Sequence, residues 1–106
     1  IDADFVHQEG PAAVAQRVLE VVGDHPAYLT FDIDCLDPAF APGTGTPVAG
    51  GLSTWQAQSV LRRLGPIHFV GMDLVEVAPP YDHAEITALA GASLLLDYFC
   101  LRAKNS

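Results

Sequence analysis

The feature that most constrains the fold is an apolar run, Ala27 to Phe31, that leads into Asp32-Ile33-Asp34 and then into a loop crowded with Pro and Gly. A short apolar run bounded by turn signals reads as a buried strand. Asp32 and Asp34 then stand at its C-terminal end, where the strand period puts both on one face and turns Ile33 into the packing. Like charges that close repel, so the arrangement is comfortable only beside a metal ion or basic groups. Carboxylate oxygens suit hard or borderline divalent ions such as manganese, magnesium and calcium. Taken alone, an Asp-x-Asp pair serves equally well as loop caps that hold backbone amides.

The surrounding chain reads as a βαβ frame. Ile1 to Gln8 is a polar lead-in with no structural signal, and Gly10-Pro11 opens a helix whose Val14, Val18, Val21 and Val22 recur at helical spacing until Gly23-Asp24. Asp37 to Gly51 holds three prolines and four glycines, which excludes helix and strand and leaves a long loop of the kind that serves a site. Ser53 and Gln56 form a capping box ahead of Ala57, Val60, Leu61 and Leu64, with Trp55 expected as a packing residue and Gly65-Pro66 as the stop. Ile67 to Val77 is a second apolar run, as a central parallel strand requires. Two strands joined by a helix form a right-handed unit with both C-terminal ends on one edge. Asp32, Asp34 and Glu76 therefore converge there.

Asp73, inside that run, reads as a structural carboxylate. Glu76, near its end, could cap the following turn. Pro79-Pro80-Tyr81 breaks the strand, and Asp82 with Glu85 has the form of a second capping box before a helix from Ala84 to Arg102. That helix is apolar almost all round and is expected to be buried against neighbours this chain does not supply.

A net charge of −8 with only five Lys and Arg excludes a nucleic-acid partner and suits a cationic substrate. No charged segment precedes an apolar leader, and no apolar run of membrane-spanning length lacks a charge, so a cytoplasmic chain with no membrane contact is expected. Cys35 and Cys100 form no Cys-x-x-Cys pair and read as free buried thiols. Two strands and three helices cannot cover both faces of a sheet, so residues 1–106 are expected to be the C-terminal portion of a larger α/β domain.

The stretch Thr30-Phe31-Asp32-Ile33-Asp34, followed at fixed spacing by Pro38, Pro42-Gly43 and Gly51, resembles a signature of the ureohydrolases, the arginase and agmatinase family. A second stretch, from Gly71-Met72-Asp73 through Glu76 to Pro79-Pro80-Tyr81-Asp82-His83-Ala84-Glu85-Ile86-Thr87-Ala88, is most similar to agmatinases. The likeness runs from about Asp24 onward. It implies a three-layer α/β/α arginase-like fold with a parallel sheet and a binuclear manganese site. It also implies that Asp32 bridges the metals, that Asp34 ligates one, and that Glu76 receives the substrate guanidinium. The products would be urea and an amine, formed by a homo-oligomer.

The remaining ligands of such a site come from Gly-Gly-Asp-His and Asp-Ala-His-x-Asp segments that these residues lack, and His7, His25, His68 and His83 read as structural or solvent-exposed. The chain alone is therefore expected to be inactive. Agmatine is the expected substrate, since no positive residue in the Asp37–Gly51 loop would meet an α-carboxylate. Guanidinobutyrate, guanidinopropionate and arginine are the alternatives. An Asp-x-Asp phosphotransferase fits poorly because Cys35-Leu36-Asp37 follows the pair, and a calcium loop fits poorly because Leu36 and Phe40 fall on ligand positions. A non-catalytic truncated fragment is the rival from another class.

Overall fold

Residues 1–105 are described by a computed structural model, in the order α1 (Ala3–Val22), β1 (Ala27–Asp32), α2 (Thr54–Arg62), β2 (Phe69–Val75) and α3 (Ile86–Asn105). Helix α1 is two helical segments joined at Gly10, whose φ of 85° and ψ of 166° only glycine adopts readily. Pro11 opens the second segment as expected. The first segment, a polar lead-in without a structural signal in the sequence, is helical, and Asp2 caps it by accepting a hydrogen bond from the Phe5 amide at 2.9 Å.

The two strands pair in parallel, from Tyr28 opposite Gly71 to Asp32 opposite Val75. An irregularity after Ala27 leaves Val70 unpaired, since Ala27 lies opposite Phe69. Ala27, Leu29 and Phe31 are half-buried, while Tyr28, Thr30 and Asp32 are exposed, as a one-sided strand demands. On the exposed face the Tyr28 ring lies against Gly71, where an added Cβ would sit 2.8 Å from it. Beside it, Asp73 accepts hydrogen bonds from Thr30 Oγ1 at 2.5 Å and Tyr28 OH at 3.3 Å. Asp73 is thus a structural carboxylate, held by two hydroxyls rather than by the backbone or a basic group.

All three helices lie on the other face. Val14 and Val18 of α1 and Ala57, Val60 and Leu61 of α2 surround Leu29 and Phe31, and Gly91 of α3 packs on Leu74. The chain measures 39 × 30 × 17 Å. A helix is about 10 Å across with its side chains, so the shortest dimension holds one helical layer and the sheet. The second helical layer of a three-layer fold is not in these residues.

Helix α2 carries both bonds of the capping box, Gln56 N to Ser53 Oγ at 3.1 Å and Ser53 N to Gln56 Oε1 at 2.9 Å. Trp55, expected to pack, is 64 % exposed because it lies off the stripe of Ala57, Leu61 and Leu64. Helix α3 begins at Ile86 rather than Ala84, since Ala84 and Glu85 have φ of 51° and 61°. Glu85 therefore takes no part in a capping box. Asp82 caps instead, accepting from the amides of His83, Thr87 and Ala88 at 2.9, 3.0 and 3.1 Å.

Burial of α3 is one-sided and not all round. Thr87, Ala90, Gly91, Leu94 and Tyr98 are buried, whereas Leu89, Leu96 and Phe99 are more than 60 % exposed. By length and composition alone this helix could cross a membrane. Here it is tied to α2 by an Arg62–Asp97 ion pair at 3.1 Å and to β2 by Arg102 on the Phe69 carbonyl. Cys35 and Cys100, expected to be buried, are exposed and free. Partial loss of hydration and the neighbouring Asp32 and Asp34 still raise the Cys35 thiol to about 11.

The capping box makes a local test of this frame. In the protein carrying this segment, Ser53→Ala should cost about 1 kcal/mol, read as a lower urea midpoint at unchanged slope. An unmoved midpoint would show that the box contributes nothing to the helix.

Candidate functional site

Asp32 is the last residue of β1, and Asp34 lies beyond the strand in a 3-10 turn, Ile33–Cys35. Strand period therefore does not pair the two aspartates; the turn does, with Asp34 N donating to Asp32 Oδ1 at 3.1 Å. Ile33 is fully buried, as expected, and anchors the turn. Asp34 Oδ2 accepts from Thr46 Oγ1 at 2.9 Å. Asp32 thus caps the turn through a backbone amide, whereas Asp34 takes a side-chain hydroxyl twelve residues away and caps nothing local.

The second strand brings a third carboxylate to this edge. Asp32 pairs with Val75, and Glu76 follows directly with φ of 71°, a left-handed conformation uncommon outside glycine. The Asp32 carboxyl is held above its ordinary range, first by lost hydration and then by the Asp34 and Glu76 charges, against the lowering effect of the Asp34 amide. Asp32, Asp34 and Glu76 therefore do converge.

Among the described residues no ion pair joins these carboxylates to a Lys or Arg side chain. Arg62 is paired with Asp97, Arg102 holds the Phe69 carbonyl at the start of β2, and Arg17 lies over the Phe5 ring, 5.7 Å from its centroid. Oxygen donors with unneutralised charge fit a hard or borderline divalent cation. Among the described residues no three His, Cys, Asp or Glu side chains are grouped to hold a metal ion.

The long loop is closed at its base and fastened along its length. Asp37 accepts from the amides of Ala39 and Gly50 at 2.8 and 2.9 Å, and these bonds hold its carboxyl below the ordinary range. Asp37 N donates to Leu52 O at 2.8 Å and Leu52 N to Cys35 O at 3.0 Å. A Cβ on Gly51 would lie 2.6 Å from Asp37 N, so only glycine closes this base. Farther out, Gly43 N donates to Thr87 Oγ1 at 2.8 Å, and Gly43 O accepts from Ala78 N at 2.7 Å.

Sequence reasoning marked Pro38, Pro42, Gly43 and Gly51 but missed Asp37, Thr46 and Thr87. Asp37 carried a usable signal, since Asp before Pro favours a side-chain turn. Thr46 and Thr87 carried none, because each bond spans a stretch of chain whose path the sequence does not reveal. His7 Nε2 lies 3.0 Å from Gly50 O and His25 Nδ1 lies 3.1 Å from Val22 O, so both are structural; His68 and His83 are exposed.

Comparison with known proteins places these features in a wider set. The sequence profile of the Arginase family matches residues 1–100. An agmatinase of Photorhabdus laumondii is 59 % identical over 105 residues, which is 99 % of this chain and 34 % of that protein. A crystal structure of a hypothetical agmatinase from Burkholderia thailandensis superposes with a TM-score of 0.97 at 58 % identity, covering 98 % of this chain and 33 % of that one. Proclavaminate amidino hydrolase from Streptomyces clavuligerus gives 0.87 at 42 % identity over 97 % of this chain and 36 % of that one. The α/β arginase-like architecture is thus the fold of this chain, which spans about a third of the length of its curated relatives.

Asp82 links the site's second loop to pH. Lost hydration pushes its carboxyl up, but the Thr87 hydroxyl and the amides of Thr87, Ala88 and His83 outweigh that and hold it at about 2, against an ordinary 3.8. A carboxyl depressed on folding stabilises the fold above its ordinary value, and that contribution is lost as pH falls through the folded one. Between about pH 4 and about pH 2, stability of Asp82→Asn should fall less steeply than that of the unsubstituted protein. Parallel acid-unfolding curves would remove Asp82 from the linkage.

Proposed function

Because the chain belongs to the arginase family, we propose that the protein of which it forms part hydrolyses agmatine to urea and putrescine, using manganese. The observation that carries this reading is that Asp32, Asp34 and Glu76 lie at one sheet edge with no ion pair to a Lys or Arg among the described residues. Similarity to agmatinases over nearly all of the chain supports the choice of substrate. The Asp37–Gly51 loop contains no Lys or Arg that would pair with the α-carboxylate of arginine.

In this reading Asp32 and Asp34 would hold the metal, with Asp32 as the more important ligand of the two. Bound divalent ions supply hydroxide near neutral pH by lowering the pKa of water. Glu76 takes the planar guanidinium through two parallel charge-assisted hydrogen bonds and fixes its carbon for attack. The strained φ of Glu76 suits this task, since backbone strain of that kind concentrates where a side chain must be aimed. Oxygen adds to the guanidinium carbon, the bond from that carbon to the alkyl nitrogen breaks, and a proton passes to the departing amine.

The other ligands are assigned to Gly-Gly-Asp-His and Asp-Ala-His-x-Asp segments elsewhere in the protein, so residues 1–106 alone should release no urea. The working assembly is taken to be a homo-oligomer in the cytoplasm, with neither nucleic acid nor membrane as a partner. A second reading, hydrolysis of a guanidino acid such as guanidinobutyrate or guanidinopropionate, draws on the similarity to proclavaminate amidino hydrolase.

Urea release by the full-length protein from agmatine, arginine and guanidinobutyrate separates these readings, with agmatine expected to be turned over best. Equal or better turnover of arginine would remove the agmatinase assignment. Asp32→Asn should lower bound manganese per subunit more than Asp34→Asn does, and unchanged metal in both would sink the ligand roles. Glu76→Gln should keep the metal and lower kcat/KM by roughly a hundredfold, from charge-assisted bonds worth about 1.5–3 kcal/mol each. Loss of metal from that variant would instead make Glu76 a ligand.

A further inference from the structure

We propose that Thr87 is a positioning residue, which fastens Gly43 and thereby makes the segment Gly43–Thr46 a strut between the turn that carries Glu76 and the carboxylate of Asp34. The inference rests on the hydrolase reading above. Three bonds define the strut. At one end Gly43 O accepts from Ala78 N at 2.7 Å, two residues beyond Glu76. At the same residue Gly43 N donates to Thr87 Oγ1 at 2.8 Å. At the other end Thr46 Oγ1 donates to Asp34 Oδ2 at 2.9 Å.

Thr87 suits this task for reasons independent of helix packing. Its side chain is fully buried although polar, its hydroxyl accepts from Gly43, and its backbone amide donates to the Asp82 carboxylate, which caps α3. A buried hydroxyl held in this way is a fixed point, since releasing Gly43 leaves polar groups without water. Gly43 is held against it so closely that a Cβ there would lie 2.8 Å from Asp82 Cβ and 2.9 Å from Thr87 Oγ1. Between the fixed ends, Thr44 N donates to Pro42 O at 2.9 Å, which tightens the turn. Without Thr87 the strut keeps its tie to Ala78 but can pivot about it, and the spacing between Asp34 and Glu76 is no longer set.

The test uses the full-length protein and Thr87→Val, which keeps the shape and removes the hydroxyl, with Thr87→Ser as the rescue. Positioning predicts faster amide exchange confined to 37–51 and 76–83, unchanged manganese per subunit, and a kcat/KM lower by up to about a hundredfold. Serine should restore most of both. Faster exchange throughout the chain would mean a merely structural role and would overturn the proposal, as would unchanged kinetics. Should Thr87→Val fail to fold, Thr87→Ala read in the same assays decides. Absence of urea release by the unsubstituted protein would sink the hydrolase reading and this inference together, whereas urea release with a silent Thr87→Val sinks this inference alone.

Discussion

Everything at the site depends on the parallel pairing of β1 with β2, and in particular on its register. Asp32 faces Val75, so the first strand ends where the second is about to release Glu76. The unpaired Val70 sets that register. Without the extra residue Thr30 would lie opposite Met72 instead of Asp73, and the Asp73 side chain would turn towards the helices. A carboxylate now held by two hydroxyls on the open face would then be buried among apolar side chains. The bulge thus keeps hydrophobic and charged residues sorted at once, which is why a two-stranded sheet can carry so defined an edge.

The same topology separates charge. Helices α2 and α3 run back against the strands, so Arg62, Arg63, Arg102 and Lys104 stand at their C-terminal ends, favourable for the helix dipoles. Arg102 holds the carbonyl of Phe69, where β2 starts. Acidic groups collect at the opposite edge, where Asp32, Asp34 and Glu76 end or follow the strands. The crowding of negative charge there is local. Its effect is felt at Asp32, whose carboxyl is made less acidic by lost hydration and by its two acidic neighbours. A cation at this edge would relieve a repulsion that no ion pair among the described residues answers.

What was legible in the sequence was local, or followed from a short chain of local facts. The strand ahead of Asp32, the Ser53–Gln56 box, the structural role of Asp73 and the shared edge of Asp32 and Glu76 all follow from periodicity, capping chemistry and the right-handed βαβ rule. Asp34 was placed at the correct edge for the wrong reason, because the strand stops at Asp32, two residues short of the Asp34 it was expected to carry. The start of α3 was misread since Ala84 and Glu85 adopt left-handed backbone, which neither residue type announces. Trp55 and the outer stripe of α3 show the other limit. Apolar character shows that a side chain gains from being covered, not whether the same stretch of chain covers it.

The loop residues that matter divide by the reason glycine is needed. Gly50 has φ of 90°, so its need is conformational, and nothing lies within 4 Å of the position a Cβ would take. Gly43 and Gly51 have ordinary backbone but stand where another part of the chain comes too near for a methyl group. That second kind of requirement carries information about tertiary structure: Gly51 records the closing of the loop on Asp37, and Gly43 its docking on Asp82 and Thr87. Core positions such as Ala57 or Leu61 can exchange volume with their neighbours and keep the fold. At Gly51 backbone presses on backbone and has no such freedom, because neither side has a rotamer to change, and at Gly43 the opposing Asp82 and Thr87 side chains are held by their own hydrogen bonds. The geometry of the acidic edge is therefore specified less by the helices that bury most of the apolar surface than by two glycines in the connection between the strands.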